Sequence, residues 1–127
     1  RHNPLFIAGL MLYLSDGGTS EGHRIRITSV RKDVHRIFIR FACEYFGVPR
    51  EKVRFWLLLL ANHDLLPISR AWSKILKIPL SQFHKYQVSK GEIKKHTLHD
   101  GVGNTIIGGA VLKKRLNTWI ELALKEF

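Results

Sequence analysis

Polar and apolar positions change their period repeatedly along the chain, and each change predicts an element. From Pro4 to Leu14 apolar residues follow one another almost without interruption, and Ser15-Asp16-Gly17-Gly18 ends the run. Proline suits the first turn of a helix, where its missing N–H is not needed, and a glycine pair suits the end. A helix apolar all round must be covered on nearly all sides, by its own domain and by a second copy of itself. Small residues Ala8 and Gly9 admit such a copy, so Ala8, Gly9, Leu12 and Tyr13 are the expected dimer contacts.

Residues 23–30 alternate, with Ile25 and Ile27 on one side and Arg24, Arg26 and Thr28 on the other, which predicts a half-buried strand with arginines on its outer face. A helix follows Ser29, its apolar side formed by Val34, Ile37, Phe38, Phe41 and Tyr45 and its wet side by Arg31, Lys32, His35, Arg36 and Arg40; Gly47 and Pro49 close it. Residues 51–60 begin as an alternating strand and become wholly apolar, as a strand covered on both faces does. Asn62-His63-Asp64 reads as a turn and helix start, with His63 and Asp64 in a capping role. Ile68, Ala71, Trp72, Ile75 and Leu76 then mark a third helix that stops before Pro79.

Beyond Leu80 the chain predicts a strand to Lys90, a turn at Gly91 and a second strand to His96. Lys85, Lys90, Lys94 and Lys95 are interleaved there with Phe83, His84, Tyr86 and His96. Ammonium groups for phosphates beside amides such as Gln82 and Gln87 for bases or sugars are the mixture a nucleic-acid groove uses. His99-Asp100-Gly101-Val102-Gly103-Asn104 reads as a hairpin turn into a short strand at 105–108, its glycines completing no phosphate-binding motif. A last helix turns Leu112, Leu116, Trp119, Ile120, Ala123 and Phe127 inward and Lys113, Lys114 and Arg115 outward. The order is α-β-α-β-α-β-β-α, an α+β fold with helices on one face of a mainly antiparallel sheet and the other face open.

Charge changes this picture more than composition does. With 45% hydrophobic and 24% charged residues, the 127-residue chain reads as one ordinary globular domain. Its 21 Lys and Arg against 10 Asp and Glu give +11, which calls for a polyanionic partner, nucleic acid ahead of an acidic membrane surface. No apolar run approaches the roughly 20 residues of a membrane span. No signal peptide is evident, and a start at Arg1 rather than Met points to a missing N-terminal segment. The lone Cys43, on an apolar helix pattern, reads as an inert thiol in a reducing, cytoplasmic setting. Arg24, Arg26, Lys52, Arg54, Lys85 and Lys95 are the candidates for the open sheet face. No Ser/His/Asp grouping or zinc-ligand spacing suggests another enzyme class. Asp16 stands apart, because a carboxylate at a helix C-terminus faces the negative end of the dipole and favours a compensating cation such as Mg²⁺.

The segment Leu12-Tyr13-Leu14-Ser15-Asp16-Gly17-Gly18 resembles the end of the signature helix of the LAGLIDADG homing endonucleases. Counted back from Gly17, Leu14 replaces the motif's earlier acid and Met11 its interior glycine; alternatively, Ala8-Gly9-Leu10 matches the front of the motif and the stretch to Asp16 is two residues longer. The stretch from Trp72 to Lys85 is similar to one in bacterial proteins assigned to the same fold, so residues 1–127 read as a single half-domain of this kind. The resemblance implies a saddle-like sheet lying along duplex DNA and a homodimer about the first helix. As an enzyme, it would be a Mg²⁺-dependent DNA endonuclease hydrolysing phosphodiester bonds. Asp16 and Gly17 then lie at the metal and Lys95 stabilises developing charge. The other class is a non-catalytic DNA-binding module or transcriptional regulator whose motif has degenerated, with an RNA-splicing, maturase-like use a third. In either DNA-binding case the expected contacts are Arg24, Arg26, Arg54, Gln82, His84, Lys85, Gln87, Lys90, Lys94 and His96.

Overall fold

Asn3 opens the first helix by accepting the Leu5 N–H on its side-chain oxygen at 2.8 Å, with Pro4 in the first turn. A computed structural model of the chain describes residues 3–16, 24–60, 63–84, 86–89 and 100–126. Its helices are α1 (Pro4–Asp16), α2 (Lys32–Phe46), α3 (Leu65–Leu76) and α4 (Ala110–Leu124). Its strands are β1 (Arg24–Ser29), β2 (Arg54–Leu60), β3 (Gln87–Ser89) and β4 (Val102–Gly108), and the chain runs α1-β1-α2-β2-α3-β3-β4-α4.

The strands form one sheet in the order β1-β4-β2-β3. β4 pairs antiparallel with both β1 and β2, but β3 runs parallel to β2, with Leu58 opposite Gln87 and Leu60 opposite Ser89. The sheet is therefore mixed. Its parallel pair follows from chain order, since β2 returns to β3 through α3, the helical crossover that parallel neighbours need. The second strand expected over 91–96 lies outside the described residues.

Two further expectations are corrected at the sheet. The stretch read as a hairpin turn supplies the first residues of β4, a central strand. Gly101 does adopt a left-handed φ of 79°, and a Cβ there would meet the Leu58 carbonyl at 2.7 Å. Gly103 serves a different need, for a Cβ on it would fall 2.6 Å from the Phe55 ring and 2.8 Å from that of Trp72. β2 is not covered on both faces either. Phe55, Leu57 and Leu59 are buried, while Arg54, Trp56, Leu58 and Leu60 between them are only half-buried.

All the buried apolar strand side chains face the helices, whereas Asn104, 3% exposed, is buried on the opposite side of the sheet. Ile25, Ile27, Phe55, Leu57, Leu59 and Ile107 join Phe38, Ile39, Phe41, Trp72 and Leu116 in a single core. α2 packs on β1 and β4, flanked by α1 and α3, and α4 packs on α1 and β1. His35, expected on the wet side of α2, is fully buried instead. Its ring stands edge-on to Phe55 and Trp72 at 5.4 Å from each, with Nδ1 2.7 Å from the Thr105 hydroxyl and Nε2 3.0 Å from the Ser29 carbonyl. Because a carbonyl only accepts, Nε2 is the donor there, and in the neutral ring Nδ1 accepts from Thr105. Nearby, Trp72 donates its indole N–H to the Asp100 carbonyl at 2.9 Å, and Lys32 pairs with the Asp100 carboxylate while lying over the Trp72 ring. α2, α3 and the start of β4 are thus tied at one point.

The helix ends follow simple rules. α2 closes on Gly47 at φ 65° with Val48 N–H donating to the Ala42 carbonyl, as the glycine predicts. Trp119 departs from the expected inward stripe of α4: Leu112, Leu116 and Ile120 are buried, whereas Trp119 is 43% exposed with its edge on Phe6.

Replacing His35 with Leu keeps the bulk but strands the Thr105 hydroxyl and the Ser29 carbonyl. At about 1–3 kcal/mol for a buried polar group left without its partner, the expected loss is about 3 kcal/mol, read from urea unfolding with an unchanged slope. A loss below about 0.5 kcal/mol, the range of an ordinary surface substitution, would show that the tie carries little.

Candidate nucleic-acid interface

The face of the sheet turned away from the helices is built by alternation and register together. On β1 it takes Arg24, Arg26 and Thr28, on β4 Val102, Asn104 and Ile106, on β2 Arg54, Trp56 and Leu58, and on β3 Gln87. Register sorts these into rows across the strands: Arg26–Ile106–Arg54, then Thr28–Asn104–Trp56, then Val102–Leu58–Gln87. Arg26 and Arg54 stand on strands separated by one other, about 10 Å apart at the backbone. Arg24 lies at the rim beside Gly108.

Two of these side chains are held in place. Arg54 donates from Nη1 to the carbonyls of Glu51 at 2.6 Å and Val53 at 3.0 Å, so that Nε and Nη2 keep their donors for a ligand. Thr28 donates its hydroxyl to Asn104 Oδ1 at 2.8 Å, which fixes the amide across the strand pair. The four strands together contain three arginines and neither Asp nor Glu. At α2, by contrast, the N-cap residue Arg31 pairs with Asp33 at 2.8 Å and Arg40 with Glu44 at 3.1 Å, which offsets part of the charge there. The Arg31 guanidinium bonded to Asp33 also holds that carboxyl below its ordinary range.

Of the residues expected to touch nucleic acid, Arg24, Arg26, Arg54 and Gln87 therefore share one face. Gln82 does not join them: its amide nitrogen donates to the carbonyls of Arg50 at 3.0 Å and Val53 at 2.8 Å, tying the turn at Leu80–Gln82 to the start of β2. His84 is exposed but lines a groove with Leu57, Leu66 and Tyr86 on the helix side of the sheet edge. Lys52 lies in the short 3₁₀ turn Arg50–Lys52 ahead of β2. Lys85, Lys90, Lys94, Lys95, His96 and Gly17 lie outside the described residues, as does the side chain of Asp16, whose backbone ends α1. His63 accepts the Leu60 N–H at 2.8 Å, shaping the turn after β2, and Asp64 takes the N-cap position of α3 without a side-chain cap bond. Among the described residues no three His, Cys, Asp or Glu side chains gather as a metal-ligand set. Nor is any described helix long and apolar enough to cross a membrane.

The small residue on α1 is used within the chain. A Cβ on Gly9 would sit 2.0 Å from the Phe41 ring, so the close approach it permits is between α1 and α2. Leu12 and Tyr13 pack partly against the core, and Tyr13 donates its hydroxyl to Asn117 on α4 at 2.8 Å. Burial raises the Tyr13 pKa. The apolar positions of α1 left open are Ile7, Met11 and Leu14, and a groove of about 300 Å³ separates Ile7 and Met11 from Trp119 and Leu122 of α4.

Trp56, Asn104 and Ile106 were not singled out by the sequence. The available signal was the strand period: Trp56 is two residues from Arg54 and so shares its face.

No protein-family model, curated protein or solved structure matches this chain. The functional reading thus rests on the geometry above and on the residues at the end of α1.

Cys43 is half-buried, and desolvation pushes its thiol above the ordinary range, with Glu44 and Glu51 adding to the rise and Arg50 opposing it. Alkylation by iodoacetamide at mildly alkaline pH is therefore expected to be slower than for a free thiol and to keep rising at higher pH. A rate equal to that of a free thiol would contradict a shielded Cys43.

Proposed function

We propose that this protein binds double-stranded DNA through the open face of its sheet. The observation that carries the reading is the Arg26–Ile106–Arg54 row with Arg24 at its rim, on strands that hold no acidic residue. Guanidinium groups on a rigid sheet meet phosphates in a fixed spacing, and each neutralised phosphate releases counterions. Gln87 lies exposed on the same face and supplies the amide donor and acceptor that base edges recognise, while Asn104, buried between the strands, holds Thr28.

A second reading adds cleavage. It is favoured by the open apolar row of Ile7, Met11 and Leu14, which runs along α1 toward Asp16 and suits a second copy of the helix. In that homodimer Asp16 and Gly17 of each chain would hold Mg²⁺, which would supply charge neutralisation at the phosphate, as the resemblance to LAGLIDADG endonucleases implies. Lys95 is the corresponding stabiliser of developing charge. Without cleavage the same surfaces make a DNA-binding module of the regulator type.

The test is duplex binding across a salt series for the native chain, Arg26→Gln and Arg54→Gln, with Mg²⁺ present and Asp16→Asn in parallel. Each arginine variant is expected to weaken binding and to lower the slope of log K against log salt by about 0.9. Unchanged slopes would refute the sheet face as the phosphate contact. Cutting that disappears in Asp16→Asn while binding survives supports the endonuclease; binding without cutting in all proteins supports the module.

A further inference from the structure

The tryptophans of this chain are used in three different ways. Trp72 is buried, donates its N–H to the Asp100 carbonyl and packs its ring on Phe55 at 5.1 Å. Trp119 sets its ring edge-on to Phe6 at 5.1 Å. Trp56 does neither: among the described residues its ring meets no other ring and its indole N–H no acceptor, although it sits half-buried in the middle of the open face. Around it lie Leu58 on its own strand and Val102 and Ile106 on β4, all half-buried on the same face. A sheet face that meets only water carries polar residues at such positions.

We propose that Trp56 stacks on an unpaired base, so that the open face prefers nucleic acid with a base out of its stack over fully paired duplex. The inference rests on the reading of this face as a nucleic-acid site. An intact duplex offers phosphates and base edges, and its flat base faces are already stacked on one another. An unpaired base presents a π-face, which an indole takes up regardless of sequence, and the apolar floor of Leu58, Val102 and Ile106 receives what the ring does not cover. Arg54 is two residues from Trp56 on the same strand and Arg26 is in the neighbouring row, so the guanidinium groups meet the backbone of the nucleotide whose base lies on the indole. The charge also argues against a second copy as the occupant. Two such faces brought together would oppose Arg24, Arg26 and Arg54 with the same arginines and no carboxylate on the strands to offset them.

The test measures fluorescence anisotropy of a labelled single-stranded oligonucleotide, its blunt duplex, and the same duplex carrying a single-nucleotide bulge. Native protein, Trp56→Leu and Trp56→Phe are compared, with thermal melts checking that each variant is folded. With stacking at about 1–3 kcal/mol per base, the native protein is expected to favour the single strand and the bulged duplex over the blunt duplex by about 5- to 150-fold. Trp56→Leu, which keeps an apolar side chain, should lose that preference while its affinity for the blunt duplex stays nearly constant. Trp56→Phe should retain most of it. A native protein without preference, or a Trp56→Leu variant that keeps it, overturns the stacking site and leaves duplex binding standing. Failure to bind any of the three probes overturns both this inference and the reading of the face on which it rests.

Discussion

His35 fixes the arrangement on which the other features depend. By reaching Thr105 on β4 and the Ser29 carbonyl at the end of β1, and by filling the angle between the Phe55 and Trp72 rings, it seats α2 on the central strands. A polar ring in a core is stable only when its nitrogens are paired, so this contact specifies a register as well as a distance. Once α2 is seated, α1 follows, because Gly9 lets it close on Phe41, and α3 follows through Trp72 and Asp100. The helices then bury one face of the sheet, and the remaining apolar and basic strand residues are left on the other.

Much of this is legible in the chain, because period is set by backbone geometry alone. The alternation of Arg24, Ile25, Arg26 and Ile27 places the arginines opposite the core, and Gly47 ends α2 where its left-handed φ is needed. What misleads is a residue type serving an uncommon purpose. The run of residues 56–60 looks like a strand covered on both faces, yet Trp56, Leu58 and Leu60 lie on the open side. The glycines at 101 and 103 look like a turn, yet Gly103 is there to let two rings approach. His35 lies among basic neighbours on α2, and only its spacing of three and four from Phe38 and Ile39 marks it as inward. Gln82 resembles a free amide until the carbonyls of Arg50 and Val53 are found beside it. Such pairings join segments about thirty residues apart, and no local pattern encodes them.

The two surfaces left open differ in chemistry, and so in what each can receive. The sheet face is positive and aromatic at its centre, suited to an anion with flat groups. The face of α1 and α4 carries Ile7, Met11, Leu14, Trp119 and Leu122, suited to an apolar partner such as a second copy. A DNA-binding module needs only the first surface. Cleavage as proposed would need both, since each chain holds a single Asp16.

The central claim is that the sheet face, and not one of the basic helix surfaces, meets the nucleic acid. Mapping backbone amide chemical shifts during titration with a short duplex tests it most directly. The largest changes are expected at Arg24, Arg26, Thr28, Arg54 and Ile106, with Lys113, Lys114 and Arg115 on α4 nearly unmoved. Changes concentrated on α4 or on Arg36 and Arg40 of α2, with the strands silent, would contradict it.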